Sequence, residues 1–522
     1  MKHLLMGAAA LALLAGCNKA DEPKSGGEVK IEAAEARSGN AAMAAEALTA
    51  MSLNESASGI LSFADKSVDG ANATFTDVTI TGEDALKAGS LVFEGLDMTD
   101  GKATFGKMSL NDIVVSEDDD ATVNLGKIEI VNPSPELSNW LASSLNGQEA
   151  PFPSFADISF DSWSLSGLSG NFDDGGDTGT FGIDKIEISQ LGADKVGAAL
   201  ISGIKLDVDS GGDVVKINLG SMSMSNLNTK FLQVIEENAG LGEEALVGAL
   251  MSAVYDNPMD PGYDSVNVKD FTVEAAGASF AMPSLSASVE RNSAGQPVKF
   301  VTKPFTMSLN ADAEGGEAGA ALLQGLSLLN YEGLTLKGEG LATYDPDKDI
   351  VEFDAGKNYL ELVDGARFSY GGKLEGYAAY SRAVGSSMDF GNMSLGGDPD
   401  PDAMIAAMGN LVFHNFEFSI DDDSLLNRAF NAAATAQGQD PAEMKSQIGM
   451  GLAMAPMMVQ GSGIDVALVT EATTALSEFI ADGGKLTFKI APKTPLAVSS
   501  IMENPDPSLY TKEALGFSAT HK

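Results

Sequence analysis

One phrase recurs along this chain and limits what it can fold into. Phe105-Gly106-Lys107-Met108-Ser109-Leu110 is matched by Leu125-Gly126-Lys127-Ile128-Glu129-Ile130, by Leu219-Gly220-Ser221-Met222-Ser223-Met224 and by Phe390-Gly391-Asn392-Met393-Ser394-Leu395. Phe181-Gly182-Ile183-Asp184-Lys185-Ile186-Glu187-Ile188 is a looser copy. Each alternates apolar and polar residues, the period of a strand with one face turned to a core. The alternation changes parity along the way. In Val215-Lys216-Ile217-Asn218-Leu219 the apolar positions are odd; after Gly220 they are even, at Met222 and Met224. Keeping both halves on one face requires a one-residue slip to be absorbed, by a β-bulge at the glycine or by a tight bend there. The copies are unevenly spaced, so the chain is not a strict solenoid.

Helical runs separate the strands. Residues 133–146 open with Pro-Ser-Pro-Glu, a good helix start. Residues 228–256, 312–330 and 400–409 are further candidates. Asp421-Asp422-Asp423-Ser424 supplies caps to a helix from Leu425. Val466, Val469, Thr473, Leu476 and Ile480 repeat at helical spacing up to Gly483-Gly484, and Leu486-Thr487-Phe488-Lys489-Ile490 then alternates as a strand. The expected fold is α+β and β-dominated: a long curved antiparallel sheet, either a groove or an elongated sandwich, with interspersed helices and a helical C-terminal cap. The expected divisions are a signal peptide over 1–16, a lipidated Cys and flexible tether over 17–38, a repeated-strand body over 39–397 and an α/β cap over 398–522.

The start of the chain carries an address. Met1-Lys2-His3 precedes an apolar run from Leu4 to Leu14 that is too short to span a bilayer. Leu14-Ala15-Gly16-Cys17 then resembles the lipobox of bacterial lipoproteins. The resemblance implies lipidation of Cys17, cleavage before it, and acylation of the new amine, with palmitate a typical chain. Two or more chains anchor stably, at roughly 0.8 kcal/mol per buried CH₂. Asn18 rather than Asp follows the Cys, which favours the outer membrane, with the body facing the periplasm.

Charge and residue scarcity exclude whole classes of function. The 522 residues hold 74 Asp and Glu against 32 Lys and Arg, a formal charge of −42, which repels nucleic acid. Yet 44% of residues are hydrophobic, too many for a disordered acidic tail. Cys17 is the only cysteine, so lipidation leaves no disulfide, no thiol nucleophile and no cysteine metal site. Of the three histidines, His3 leaves with the signal and His521 is penultimate, so any Ser-His-Asp or His-based chemistry would rest on His414. His414 lies in the alternating Val412-Phe413-His414-Asn415-Phe416-Glu417-Phe418 and reads as a polar residue on a strand surface.

Other constellations are weak. Asp345-Pro346-Asp347-Lys348-Asp349 and Asp398-Pro399-Asp400-Pro401-Asp402 have calcium-loop spacing but lack Gly at the sixth position and Glu at the twelfth, so both read as solvated turns. Ser202-Gly203-Ile204-Lys205 is a lone Ser-x-x-Lys match. No cofactor and no metal site is expected. From Ser446 to Ile464 there is no charge, and Met450, Met454, Met457 and Met458 stand among Gly449, Gly451 and Pro456. Two readings stand: a buried helix, or an adaptable methionine surface that grips an apolar ligand.

The repeated strand units, the turn Ala342-Thr343-Tyr344-Asp345-Pro346 before Ile350-Val351-Glu352-Phe353, and Gly372-Lys373-Leu374-Glu375-Gly376 resemble AsmA-like and YdgA-like envelope proteins over residues 59–395. The resemblance implies long sheets that curl into grooves; the transmembrane anchor usual in those proteins is replaced by the lipobox. The functional expectation is a membrane-anchored, non-catalytic binding or scaffold protein, holding lipid in a sheet groove or meeting another envelope protein. The alternatives are a structural or adhesin-like lipoprotein without ligand and a hydrolase that uses carboxylates alone.

Overall fold

The structure is a computed structural model. It describes residues 31–522 apart from 32, 54–56, 59, 82–84, 118–120, 146–149, 175–176, 194, 211–212, 230–233, 235–248, 250–251, 254–255, 313–315, 388–400, 462 and 504–506. The signal segment, Cys17, the Phe390-Gly391 copy, most of the 228–256 helix and the boundary expected at 397/398 lie outside the described residues. The chain is β-dominated α+β, and the registered strand pairs are antiparallel. It divides into two compact units, residues up to 239 with 262–275, and residues 240–261 with 276–522.

In the first unit a meander runs strand to neighbouring strand. It begins with β1 (Ala57–Ser58), β2 (Leu61–Ser62) and β3 (Asp65–Asp69), the last two pairing the same edge of β4 (Asn72–Ile80). From β4 it passes to β5 (Leu86–Glu94), and a separate small hairpin follows, β6 (Asp97–Thr99) with β7 (Lys102–Thr104). The main sheet continues through β8 (Lys107–Glu117), β9 (Ala121–Val131), β10 (Phe160–Asp174), β11 (Asp177–Leu191), β12 (Lys195–Ser210), β13 (Asp213–Asn228) and β14 (Ser265–Ala275). Phe63, Phe75, Phe93 and Phe105 stack edge to face across the first strands, with centroids 4.8, 6.4 and 5.3 Å apart in turn. Helix α1 (Ala44–Ala50) buries Ala47 and Leu48 in this core, and α2 (Pro135–Leu145) buries Leu137, Trp140 and Leu141.

Within the span expected as a flexible tether, residues 35–37 are held against the sheet. Asn132 takes the Arg37 N–H on its Oδ1 at 2.8 Å and donates to the Glu35 carbonyl at 2.8 Å, while the Arg37 guanidinium donates to the Pro133 carbonyl at 2.7 Å. The Arg37 backbone passes against Gly95 and Gly106, where a methyl group would collide with its carbonyl. Residues 35–37 are therefore docked, because two glycines leave room for a backbone to cross the sheet.

In the second unit β15 (Ala278–Arg291), β16 (Pro297–Ala311) and β17 (Gly333–Asp345) form a meander. Two short strands, β18 (Ile350–Phe353) and β19 (Tyr359–Leu362), both bridge β17 to β20 (Ala366–Glu375). β20 pairs β21 (Val412–Asp422), which pairs β22 (Gly484–Ile490) and β23 (Leu496–Ala497), and β24 (Ser518–His521) pairs β22. Its helices among the described residues include α3 (Glu317–Leu328), α4 (Tyr377–Ser387), α5 (Pro401–Met408), α6 (Leu425–Gln437), α7 (Pro441–Met458), α8 (Val466–Asp482), α9 (Val498–Glu503) and α10 (Lys512–Leu515). The candidate at 312–330 shortens to α3; the candidate at 400–409 and the helices expected from Leu425 and around Val466–Ile480 form, with Asp422 accepting the Leu426 N–H at the start of α6 and Asp465 the Ala467 N–H at the start of α8. α8 ends at Gly483, φ +73°, and packs Ala475 and Phe479 on Leu486 and Ala519 of the sheet.

Candidate ligand-binding face

The parity change in the repeated phrase is a crease that crosses the first unit's sheet. Between β4 and β5, Thr76 pairs with Ser90 and Val78 with Ala88, leaving Asp77 opposite Gly89. The same one-residue interruption sets Gly89 opposite Asp112, Asp112 opposite Gly126 and Gly126 opposite Gly167. It continues with Asp184 opposite both Gly167 and Gly203, then Gly203 opposite Gly220 and Gly220 opposite Asp270. On alternate strands the crease residue has positive φ: Asp77 (50°), Asp112 (53°), Gly167 (68°), Gly203 (67°) and Asp270 (51°). Pairing resumes in the same register on both sides, so no strand gains a residue over its neighbour. Of the two devices considered from sequence, the structure uses the bend and not the bulge. Each strand turns over at the same level, so the whole sheet changes parity together.

Glycine and aspartate suit the crease for different reasons. A short polar side chain tolerates left-handed backbone, which admits Asp where Gly is absent. Opposite it the space is small: a methyl on Gly203 would collide with the Asp184 carboxylate and stand 2.6 Å from its Cβ, and one on Gly220 would stand 2.9 Å from the Asp270 Cβ. Not every glycine of the phrase has this role. Gly126 and Gly220 lie in the crease, Gly182 lies two residues from it, and Gly106 makes room for Arg37.

The crease keeps apolar residues on one face of the sheet. On the core side Trp163, Leu165, Ile186, Ile188 and Ala199 are buried. Beyond it the rows aligned by the flanking register are Leu168, Ile183, Ile204, Leu219 and Phe271; then Gly170, Phe181, Leu206, Ile217 and Val273. These outer apolar residues are half-buried, not buried, and the residues between them are mostly exposed and polar: Asn171, Thr180, Lys205, Asp207, Lys216, Asn218 and Glu274. The rings of Phe181 and Phe172 lie over glycines of the adjoining strand. A methyl on Gly170 would stand 2.5 Å from Phe181 Cζ, and Gly179 receives the Phe172 ring in the same way. The face is therefore a smooth hydrocarbon floor. Five strands at ~4.8 Å spacing give it a width of about 19 Å between outer strand axes.

The opposite face near the core is charged and internally paired. Lys107 lies 2.6 Å from Glu94 and 3.6 Å from Glu129, and Lys185 lies 2.6 Å from Glu187. Burial pushes the Glu129 carboxyl up, but hydrogen bonds from Lys127 and Ser109 outweigh it and hold the group below the ordinary range. These groups neutralise one another on the polar side of the sheet.

The other sequence candidates fall elsewhere. His414 sits on β21 where the register slips, Lys373 pairing with Asn415 and Leu374 with Phe413, and its Nε2 lies 2.9 Å from Glu375 Oε2. Asp345 accepts the Asp347 N–H at 3.2 Å and pairs with Lys348. Asp349 accepts the Ala378 and Ala379 N–H groups, each at 3.0 Å, and the Tyr344 hydroxyl at 3.1 Å. That carboxylate is committed to the first turn of α4. Asp398 and Asp400 lie outside the described residues. Among the described residues no group of three His, Asp or Glu side chains is placed to hold a metal.

The methionine segment is helical, as α7, but it is not buried. Met444 is, whereas Met450, Met454, Met457 and Met458 are 60, 55, 62 and 79% exposed. The buried-helix expectation fails because α8 occupies the place against the sheet, and α7 packs outside α8 with Gly449 close to Ser477. Among the described residues no helix is long and apolar enough to cross a membrane.

Comparison with known proteins adds little chemistry. A family model described only as an uncharacterized protein matches residues 359–522, from β19 to the end of the chain. No curated protein matches the chain.

Proposed function

We propose that this chain is a lipid-anchored protein of the bacterial envelope that holds hydrocarbon chains on the apolar floor of β10–β14 and has no catalytic role. One observation carries the reading: apolar residues stay on a single face across the crease, and beyond it they are half-buried instead of buried, while the residues between them are polar and mostly exposed. A continuous apolar patch of this kind marks a binding surface more often than a solvated one. The lipobox-like Leu14-Ala15-Gly16-Cys17 supplies the anchor, with an outer-membrane, periplasm-facing location as the accompanying expectation. The chain's negative charge fits a ligand bound by its apolar part.

The test is direct. The chain from residue 17 onward, with Cys17→Ser, is purified from a bacterial periplasm and extracted for lipid mass spectrometry. Acyl lipid is expected at near-stoichiometric amounts. Phe181→Asp places a charge in the middle of the floor and is expected to reduce bound lipid at least about tenfold, equivalent to ~1.4 kcal/mol. Circular dichroism must show the variant folded. Lipid-free parent protein, or equal lipid in the folded variant, overturns the reading in favour of a structural lipoprotein without ligand.

A further inference from the structure

We propose that the outward face of α7 is a docking surface for the lipid bilayer itself, separate from the floor that carries hydrocarbon. Met450, Met454 and Met457 recur at four and three residues, so they line one side of the helix. The opposite side packs inward through Met444 and, near Gly449, against Ser477 of α8. A helix apolar on both sides is ordinarily enclosed. This one is enclosed on one side only, and more than half of each outward methionine is exposed.

Area and charge select the occupant. Four methionines at this exposure make a patch on the order of 400 Å², in the range that marks an interaction site. That is about half of the ~800 Å² per partner in a stable protein–protein interface, which argues against a second copy as the occupant. The patch contains no charge from Ser446 to Ile464 in a chain with 74 acidic residues. The nearest cation along the chain, Lys445, is turned to α6, donating to Asn427 at 2.7 Å and lying 5.4 Å from the Phe430 ring centroid. A surface without cations on so acidic a chain does not seek anionic head groups. It fits the apolar boundary of a neutral bilayer, into which unbranched methionine side chains adapt.

The test uses the chain from residue 17 onward with Cys17→Ser, so that no acyl group contributes. It is floated with vesicles of phosphatidylcholine, and with vesicles of equal parts phosphatidylcholine and phosphatidylglycerol. Flotation with the neutral vesicles is expected, unchanged by salt and weaker when phosphatidylglycerol is added. The triple variant Met450→Ser, Met454→Ser, Met457→Ser changes only exposed side chains and is expected to lose at least tenfold in the floated fraction. Met454→Trp should keep flotation and shift its fluorescence to the blue on neutral vesicles. Failure of the parent to float, or equal flotation of the triple variant, overturns the proposal. So does a vesicle-free dimer in sedimentation that the triple variant abolishes, since the partner is then a second copy. Lipid co-purifying with the triple variant reports separately on the sheet floor, so failure of one reading is distinguishable from failure of the other.

Discussion

A single backbone conformation at Gly203 supports the crease, and its two requirements can be separated. Gly203 needs both positive φ and an empty space beside Asp184; Gly70, at φ +60° in a turn with nothing within 4 Å of an added methyl, needs only the first. Gly70→Ala is expected to destabilise by about 1 kcal/mol and Gly203→Ala by about 3 kcal/mol in denaturant unfolding. Equal values would show that the close approach contributes nothing. Tyr344 offers a second residue-level prediction. Burial, then the charge and hydrogen bond of Asp349, push its phenol up to about 12 from an ordinary 10.0. The raised value favours the neutral folded form, so its contribution to stability is complete below pH 10.0 and is lost as pH rises to about 12. Ultraviolet titration should show one tyrosine ionising late, and Asp349→Asn should bring it down. The Gly126 and Gly220 positions were legible from the parity change beside them. Asp77, Asp112 and Asp270 were not, although Phe75 to Val78, Leu110 to Ile113 and Val268 to Phe271 make the same three-residue step. Aspartate performs the same turn as glycine, without glycine's mark in the sequence.

Elements at the end of the chain are held by carboxylates that cap and clasp. Asp465 caps α8 through the Ala467 N–H at 2.8 Å and takes the Lys512 N–H at 2.6 Å, and these two bonds, the Lys512 one first, lower its pKa. Glu471 is lowered by its hydrogen bond from the Lys512 ammonium against a smaller effect of burial, and it accepts the Ala519 N–H of β24 at 3.0 Å. Both groups have folded pKa values below the ordinary 3.8 and 4.5, so their contribution is present above those values and is lost as pH falls through the lowered ones. The protection of the Ser518–His521 amides, relative to their intrinsic exchange, should therefore fall in acid before that of the core of the first unit. Glu471→Gln should produce the faster exchange already at neutral pH. Unchanged protection in that variant would assign the clasp to His521, whose Nε2 lies 2.6 Å from the Gly483 carbonyl, and to strand pairing. The helices here were legible because capping residues and three-four spacing are local signals. That α7 lies outside α8 was not, because both are apolar and only packing decides which reaches the sheet.

At the scale of the molecule, charge and anchorage set the expectations. The full chain is expected in the membrane fraction, with acyl label on Cys17, and Cys17→Ser should remove the label. If α7 docks on bilayers, part of the Cys17→Ser protein stays with membranes and the triple methionine variant releases it. A Cys17→Ser protein carrying acyl label elsewhere would contradict the lipobox reading. An excess of 74 acidic over 32 basic residues should also leave the chain unretained on a DNA column at low salt.

The sequence by itself determined the period-two alternation, the parity steps, the caps and the near absence of histidine and cysteine, because each is a property of neighbours along the chain. It thereby determined an antiparallel, β-dominated fold with C-terminal helices, in a chain with one cysteine and three histidines. Only the tertiary structure decided that the parity steps align into one crease without a change of register, since that depends on strands brought side by side. Only packing decided that apolar residues beyond the crease stay half-buried and that four methionines face outward, because burial is a property of what lies across from a residue.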